Sequence, residues 1–354
     1  MKILLLAPAP PNRSPSQRFR FEHYLNFEHH NNLNFDYKSF LSTKGWGVLH
    51  LHNHHLQKTA GIITGFAKRV ALLFTLHQYD WVYIHREAAP LGPPIFEWLI
   101  AKVWRKKIIF DFDDAIWVSA ASVANPGVAS IKCTWKVAHI CKLSTIVTVG
   151  NSFLGDYARQ YCKDVRLIPT VVDTDTQHNS IKNQEDQPMV IGWTGTFTNF
   201  YNLLKITPVL ARLKEKYAFT FMVIADKDPG FTNVEYVFRK WQVDTEIEDL
   251  MQFHIGLMPL ENSEVELGKC AFKAIQYMSL GVPPVVSPVG ANSVVVQNGI
   301  NGMWVDSTDE WYDALEQLLN NTHLRTQIGK AAREHIVNHY SVKATRDTFF
   351  NLFN

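Results

Sequence analysis

The chain has 354 residues, of which 46% are hydrophobic and 19% charged, enough for two ordinary α/β domains with full cores. A net charge of +2 hides an asymmetry: residues 1–176 hold 20 Lys/Arg against 13 Asp/Glu, and the remaining 178 hold 15 against 20. No apolar run approaches the roughly 18 residues needed to cross a bilayer, and Cys133, Cys141, Cys162 and Cys270 are scattered without a C-x-x-C pair, which excludes a membrane-spanning or disulfide-stapled design and favours a reduced cytoplasmic protein.

The opening Met1-Lys2-Ile-Leu-Leu-Leu-Ala7-Pro8 is too short for a signal-peptide core and reads as the first strand of a parallel sheet. Apolar runs then alternate with helical patterns. In the first half they fall at Trp81–Ile84, Lys107–Phe110, Thr145–Val149 and Val165–Ile168. In the second half they fall at Val190–Trp193, Thr220–Ile224, Ile255–Met258, Pro284–Ser287 and Met303–Val305. This βαβ rhythm predicts two doubly wound domains, 1–172 and 189–338, with ligands at the carboxyl ends of the strands. The polar stretch Asp173–Pro188 reads as a linker, and helices are expected at about 309–320, 322–338 and Val342–Phe350. No Gly-x-Gly-x-x-Gly follows the first strand, which counts against a nicotinamide dehydrogenase.

Several loops leave strands at their carboxyl ends and carry chemistry. After the first strand, Pro8–Arg20 offers Ser14, Arg13, Arg18 and Arg20, and arginines can clamp a phosphate or carboxylate by bidentate hydrogen bonds. His85-Arg86-Glu87 follows Trp81–Ile84; Arg86 either balances nearby carboxylates or holds an acceptor. Asp111-Phe-Asp113-Asp114 follows Lys107–Phe110, and three carboxylates this close need a cation, a proton or an arginine beside them. Ile191-Gly-Trp-Thr-Gly195-Thr196 opens the second half as a strand and a small-residue turn that lets backbone approach a ligand.

Other segments have two readings. His50, His52, His54 and His55 have no carboxylate or cysteine beside them and read as surface histidines rather than a metal site. Lys58–Leu76 is amphipathic: it either packs on the first sheet or lies on a membrane surface. The basic first half suits an anionic partner, a phosphorylated substrate or a membrane, against the alternative of scattered solvated lysines.

Residues 266–290 are the most informative. They read as a polar loop with Glu266, Lys269 and Lys273, a helix over about 271–280, a Gly281-Val-Pro stop and a buried strand. The run Glu266-Leu-Gly-Lys269-Cys-Ala-Phe272-Lys273-Ala-Ile-Gln276-Tyr-Met resembles the retaining GT-B glycosyltransferases (group 1, family 4 type), in particular a bacterial subgroup reading Glu-x-Gly-Lys-Cys-x-x-Lys-x-x-Gln-Tyr-Met. Ser14-Pro-Ser-x-Arg18-Phe-Arg20, Phe112-Asp113-Asp114-Ala-Ile-Trp and Ile191-Gly-Trp-x-Gly195 are similar to other runs of that subgroup.

The resemblance implies an α/β GT-B fold: two Rossmann-like domains facing across a cleft, with residues 339–354 crossing back to the first. It implies transfer of a sugar from a nucleotide-sugar, a UDP- or GDP-sugar, to a hydroxyl on a glycan or lipid-linked acceptor. Lys269 and Lys273 would neutralise the diphosphate, Gln276 would stand where the wider group has its second glutamate on the ribose, and Gly195, Thr196 and Phe272 would face the donor. Glu266, Lys273 and Asp113 would carry catalysis, with Ser14, Arg18, Arg20, Arg86 and Asp114 on the acceptor or phosphate side. No metal, other cofactor or nucleic acid is implied, although Asp-x-Asp after a strand is also how GT-A enzymes hold a divalent ion. The expected setting is bacterial surface polysaccharide or lipopolysaccharide assembly, in the cytoplasm with peripheral contact to the inner face of the plasma membrane. Two departures stand out: the family's histidine is replaced at Asp113, and counting places its first glutamate at Gly268 rather than Glu266. They leave a sugar-nucleotide epimerase or a catalytically impaired nucleotide-sugar binder as alternatives.

Overall fold

A computed structural model of the chain describes residues 1–26, 33–49, 51, 53–118 and 132–354; His50 and His52 lie outside them. The described residues form two compact units, one of residues 1–170 with 346–354 and one of residues 171–345. Each holds a six-stranded, wholly parallel sheet.

In the first unit the strands are β1 (Lys2–Ala7), β2 (Asn34–Ser39), β3 (Trp81–His85), β4 (Lys107–Phe112), β5 (Ile146–Val149) and β6 (Val165–Leu167), in the order β2-β1-β3-β4-β5-β6. In the second they are β7 (Val190–Gly195), β8 (Thr220–Ala225), β9 (Val237–Lys240), β10 (Ile255–Met258), β11 (Pro284–Val286) and β12 (Met303–Trp304), in the order β12-β11-β10-β7-β8-β9. The central strands are apolar almost throughout because helices cover both faces, the pattern expected of parallel sheets. β2 and β9 escape the apolar pattern. They are edge strands, half-exposed along much of their length, and read Asn-Phe-Asp-Tyr-Lys-Ser and Val-Phe-Arg-Lys.

The order of strands fixes where a ligand can sit. In the first sheet the chain runs outward from β1 to β2 on one side and from β3 to β6 on the other. In the second it runs outward from β7 to β9 and from β10 to β12. Each sheet therefore has a switch point, between β1 and β3 and between β7 and β10, where neighbouring loops diverge and leave a crevice.

The segment 173–188, expected to be a linker, belongs to the second unit. Its polarity hides the reason: a buried arginine, a half-buried one and a histidine take its carbonyl oxygens. Arg325 donates from NH2 to the Gln184 carbonyl at 3.1 Å, and Arg333 donates from NH1 to the His178 carbonyl and from NH2 to the Thr174 carbonyl at 3.1 Å. His254 Nε2 lies 2.9 Å from the Asp186 carbonyl, while its Nδ1 accepts the Val190 amide at 3.1 Å, which sets a neutral ring protonated on Nε2. Burial and the nearby Lys182 lower its pKa to about 4. A lowered folded-state value means stability is fully present above the unfolded value of about 6.5 and lost as the pH falls toward 4. We expect acidification through that window to cost the second unit about 2 kcal/mol, and His254→Gln to flatten the loss. Chemical denaturation at several pH values measures this; an equally steep loss in the variant would rule His254 out as its source.

The chain ends by returning to the first unit. Helix Val342–Phe350 passes from the second unit into the first at Arg346, and residues 339–345, expected with it, remain in the second unit. Phe349 stacks on Tyr24 with ring centroids 4.2 Å apart, and Phe349, Leu352 and Phe353 are buried against Tyr83, Phe35 and Trp81. Each such side chain contributes about 1.5–3 kcal/mol of apolar burial.

Candidate functional site

At the β1/β3 crevice, the ends of β3 and β4 and the segments after β1, β3 and β4 bring together Ser16, His85, Arg86, Asp111, Asp113 and Asp114. Asp111 lies inside the sheet at 0% exposure and is met by Arg20 NH2 at 2.5 Å, Thr148 Oγ1 at 2.7 Å and His85 Nδ1 at 2.8 Å. Burial alone would raise its pKa, but the Arg20 guanidinium and the His85 bond hold it well below the usual carboxylate range. Arg20 is thus committed to Asp111 and to the Ile168 carbonyl, and it is not the open phosphate clamp that its loop position implied. A carboxylate sunk in a sheet needs a cation more than a ligand does. Arg18 is likewise buried, 4.9 Å from the Phe19 ring centroid, while Ser14 is half-buried and its carbonyl accepts the Arg18 amide.

The outer half of this cluster is more accessible. Ser16 Oγ donates to Asp113 Oδ1 at 2.7 Å and lies 2.9 Å from His85 Nε2. Arg86 reaches Asp113 Oδ1 at 2.9 Å and also pairs with Asp114, balancing two of the three carboxylates. Burial would raise the Asp113 pKa, and Arg86, His85 and Arg20 outweigh it and lower it. Arg86 adopts φ +61°, a left-handed backbone that costs a non-glycine residue energy and persists where surrounding contacts over-determine it. Here the Arg86 amide donates to the Asp111 carbonyl at 2.7 Å. His85 and Ser16 were legible only as neighbours of charged residues; the line Asp111–His85–Ser16–Asp113 joins two strand ends to the segments that follow β1 and β4.

At the β7/β10 crevice the candidate donor residues converge. Helix Phe272–Ser279 begins at Ala271, which has φ +54° and ψ +24°. A left-handed residue followed by right-handed ones turns successive backbone N–H groups toward one point, a concavity suited to an anion, and the helix dipole adds to it. Lys273 lies in the first turn with its Nζ 5.5 Å over the Trp193 ring. Gly195 sits under it: a Cβ there would come within 2.9 Å of Lys273 Cε and 2.4 Å of the Trp193 ring, so only glycine lets the strand end pass. Thr196 is exposed and its Oγ1 accepts from Asn199 Nδ2 at 3.0 Å; Phe272 is half-buried.

Lys269 Nζ donates to Asn199 Oδ1 at 2.8 Å and stands 3.6 Å from Glu266 Oε2. Glu266 itself is fully buried, with Tyr201 Oη and Asn202 Nδ2 (3.0 Å) donating to Oε1. Burial, and then this carboxylate, raise the Tyr201 pKa. The structure therefore places Glu266 beneath the crevice, bracing Tyr201, Asn202 and Lys269. Gln276, expected on a ribose, is 1% exposed and donates to Glu246 Oε1 at 3.2 Å. Glu246 also accepts from Trp241 Nε1 at 3.2 Å, so the Gln276 amide is tied to a carboxylate of another helix. Tyr201, Asn202 and Glu246 lie 65, 64 and 30 positions from their partners, beyond what a local motif can show. Among the described residues no group of His, Cys, Asp and Glu is arranged to hold a metal ion.

Residues 233–335 match the family described as Glycosyl transferases group 1. Over its whole length the chain superposes on Anabaena HepE in complex with UDP-glucose, with a TM-score of 0.67, 13% identity and 99% and 98% of the two chains covered. It superposes equally on a glycosyltransferase from Rickettsia africae, at 0.66, 14% identity and 99% and 97% coverage. The chain has the GT-B fold, and the family match lies within its second unit, which holds Lys269, Lys273 and Gln276. A stretch of 67 residues is 42% identical to D-inositol 3-phosphate glycosyltransferase of Corynebacterium diphtheriae, spanning 18% of this chain and 16% of that protein.

Proposed function

We propose that this GT-B chain is a retaining glycosyltransferase that moves a sugar from a UDP- or GDP-sugar to a hydroxyl of a glycan or lipid-linked acceptor. The reading places it in bacterial cell-surface polysaccharide or lipopolysaccharide synthesis, in the cytoplasm with contact to the inner face of the plasma membrane. One observation carries it: Lys273 and the Ala271–Phe272 backbone turn converge over Gly195 at the β7/β10 crevice. A cationic helix start beside a glycine strand end suits a diphosphate, and HepE in the same fold is seen with UDP-glucose.

In this mechanism the departing diphosphate gains charge as its bond to the sugar breaks, and Lys273, Lys269 and the helix N–H groups stabilise that charge. Glu266 acts through the side chains it braces. Asp113, with Asp114 and Arg86, takes the acceptor side, where a carboxylate can accept a hydrogen bond from the incoming hydroxyl. Protein cations supply the positive charge, and no metal or other cofactor enters.

The test is a thermal-shift panel of UDP-, GDP- and ADP-sugars. At a hundred times its Kd the true donor adds about 2.7 kcal/mol, a shift of several degrees in Tm. Silence across the panel at millimolar concentration would sink the assignment.

A further inference from the structure

Helix His55–Leu73 is unusual in how little of it is covered. Gly65 and Arg69 are its buried residues, and Ile62, Phe66 and Leu73 beside them are half-buried. Phe40 lies directly against Gly65, where an added Cβ would come within 2.4 Å of its ring. The other side carries Leu56, Ala60, Ile63, Ala67, Val70 and Phe74, which alternate in steps of four and three and so form one straight stripe. All six are exposed, Leu56 by 88%, Phe74 by 74%, Ile63 by 63% and Val70 by 49%. Scattered exposed apolar residues are ordinary, but a continuous stripe along five turns of helix marks a surface that something covers.

The stripe runs beside a second feature. Ala71, next to it on the helix, helps to line an open groove of about 510 Å³ whose cationic side chains include Lys2, Lys38 and Lys68. Asp36 at the groove edge is engaged by Lys38 at 2.8 Å and by Tyr79. From Tyr37 to Tyr79 the chain has five Lys or Arg and no Asp or Glu. A second copy of the chain on this face would set two such acid-free segments together, whereas an anionic surface complements them.

We propose that this face docks on an anionic phospholipid leaflet. The stripe enters the boundary between headgroups and acyl chains, and Lys2, Lys38 and Lys68 meet lipid phosphates. The proposal deepens the membrane contact included in the functional reading above, and it names the surface and the lipid chemistry. A helix with one packed side and one bare apolar side, bordered by lysines, lies in the plane of an interface rather than crossing it.

Flotation of the full chain with phosphatidylcholine vesicles, with and without phosphatidylglycerol, tests it. The wild-type chain floats with the phosphatidylglycerol vesicles at low salt and is released as salt rises. The double substitution Ile63→Asp with Val70→Asp lowers the bound fraction about tenfold or more, and Lys38→Glu with Lys68→Glu abolishes the preference for the anionic lipid. These positions are outside the core, so UDP binding by both variants stays at the wild-type value and reports an intact fold. Absence of flotation, or equal flotation of the stripe variant, overturns the proposal. So does a dimer in sedimentation equilibrium that the stripe variant splits without any change on vesicles. A wild-type chain that binds vesicles but no nucleotide counts against the donor reading alone.

Discussion

Lys273→Ala lowers kcat for sugar transfer by about 10²–10³ with little change in Tm, the expected cost of removing one preorganised charge from a developing anion. The structure explains why stability is spared. Lys273 is half-buried and only caps the face of Trp193, a core ring whose packing on the sheet does not depend on the ammonium. Lys269→Ala should behave differently, because its ammonium is 3.6 Å from a fully buried carboxylate, Glu266, and its loss costs stability as well as rate. Steady-state kinetics alongside differential scanning calorimetry separates the two. Wild-type turnover by the Lys273→Ala enzyme would remove this lysine from the mechanism and leave the helix N–H groups to carry the diphosphate.

The largest effect on stability belongs to Arg20. Replacing it by alanine leaves Asp111 buried without its principal cation, and breaking a buried pair from one side costs about 3–5 kcal/mol. For a unit of the size of the first, residues 1–170 with 346–354, that is roughly 10 °C in Tm. The effect has a pH signature. Asp111 has a depressed pKa in the folded protein, so its contribution is complete above about pH 4 and is lost in stronger acid. The gap between wild type and Arg20→Ala therefore narrows as the pH falls below about 4. A variant that melts within a degree or two of wild type at pH 7 would show that Asp111 is held by Thr148 and His85 alone.

Much of the fold was legible because burial writes itself into apolar runs. Ten of the twelve strands were marked that way, and the two that were not, Asn34–Ser39 and Val237–Lys240, are edges whose outer sides carry polar residues. The segment 173–188 misled for the opposite reason: it is polar, yet it is tied down through backbone carbonyls by Arg325, Arg333 and His254, and composition does not report carbonyl partners. At the site, Lys273 and Asp113 stood out as candidates because one opens a helix and the other follows a strand. What remained hidden was commitment. Nothing in the sequence distinguishes Arg20, spent on Asp111, from an arginine open to a ligand, or shows that Gln276 leans on Glu246.

The closing helix has a bearing on how this protein is made. Tyr24, Phe35 and Tyr83 are translated before the second unit, but the rings that cover them, those of Phe349 and Phe353, are translated after it. The second unit has its full sequence outside the exit tunnel before the first can seal its interior. Biosynthesis thus leaves the first unit waiting, partly open, for residues made only after the second.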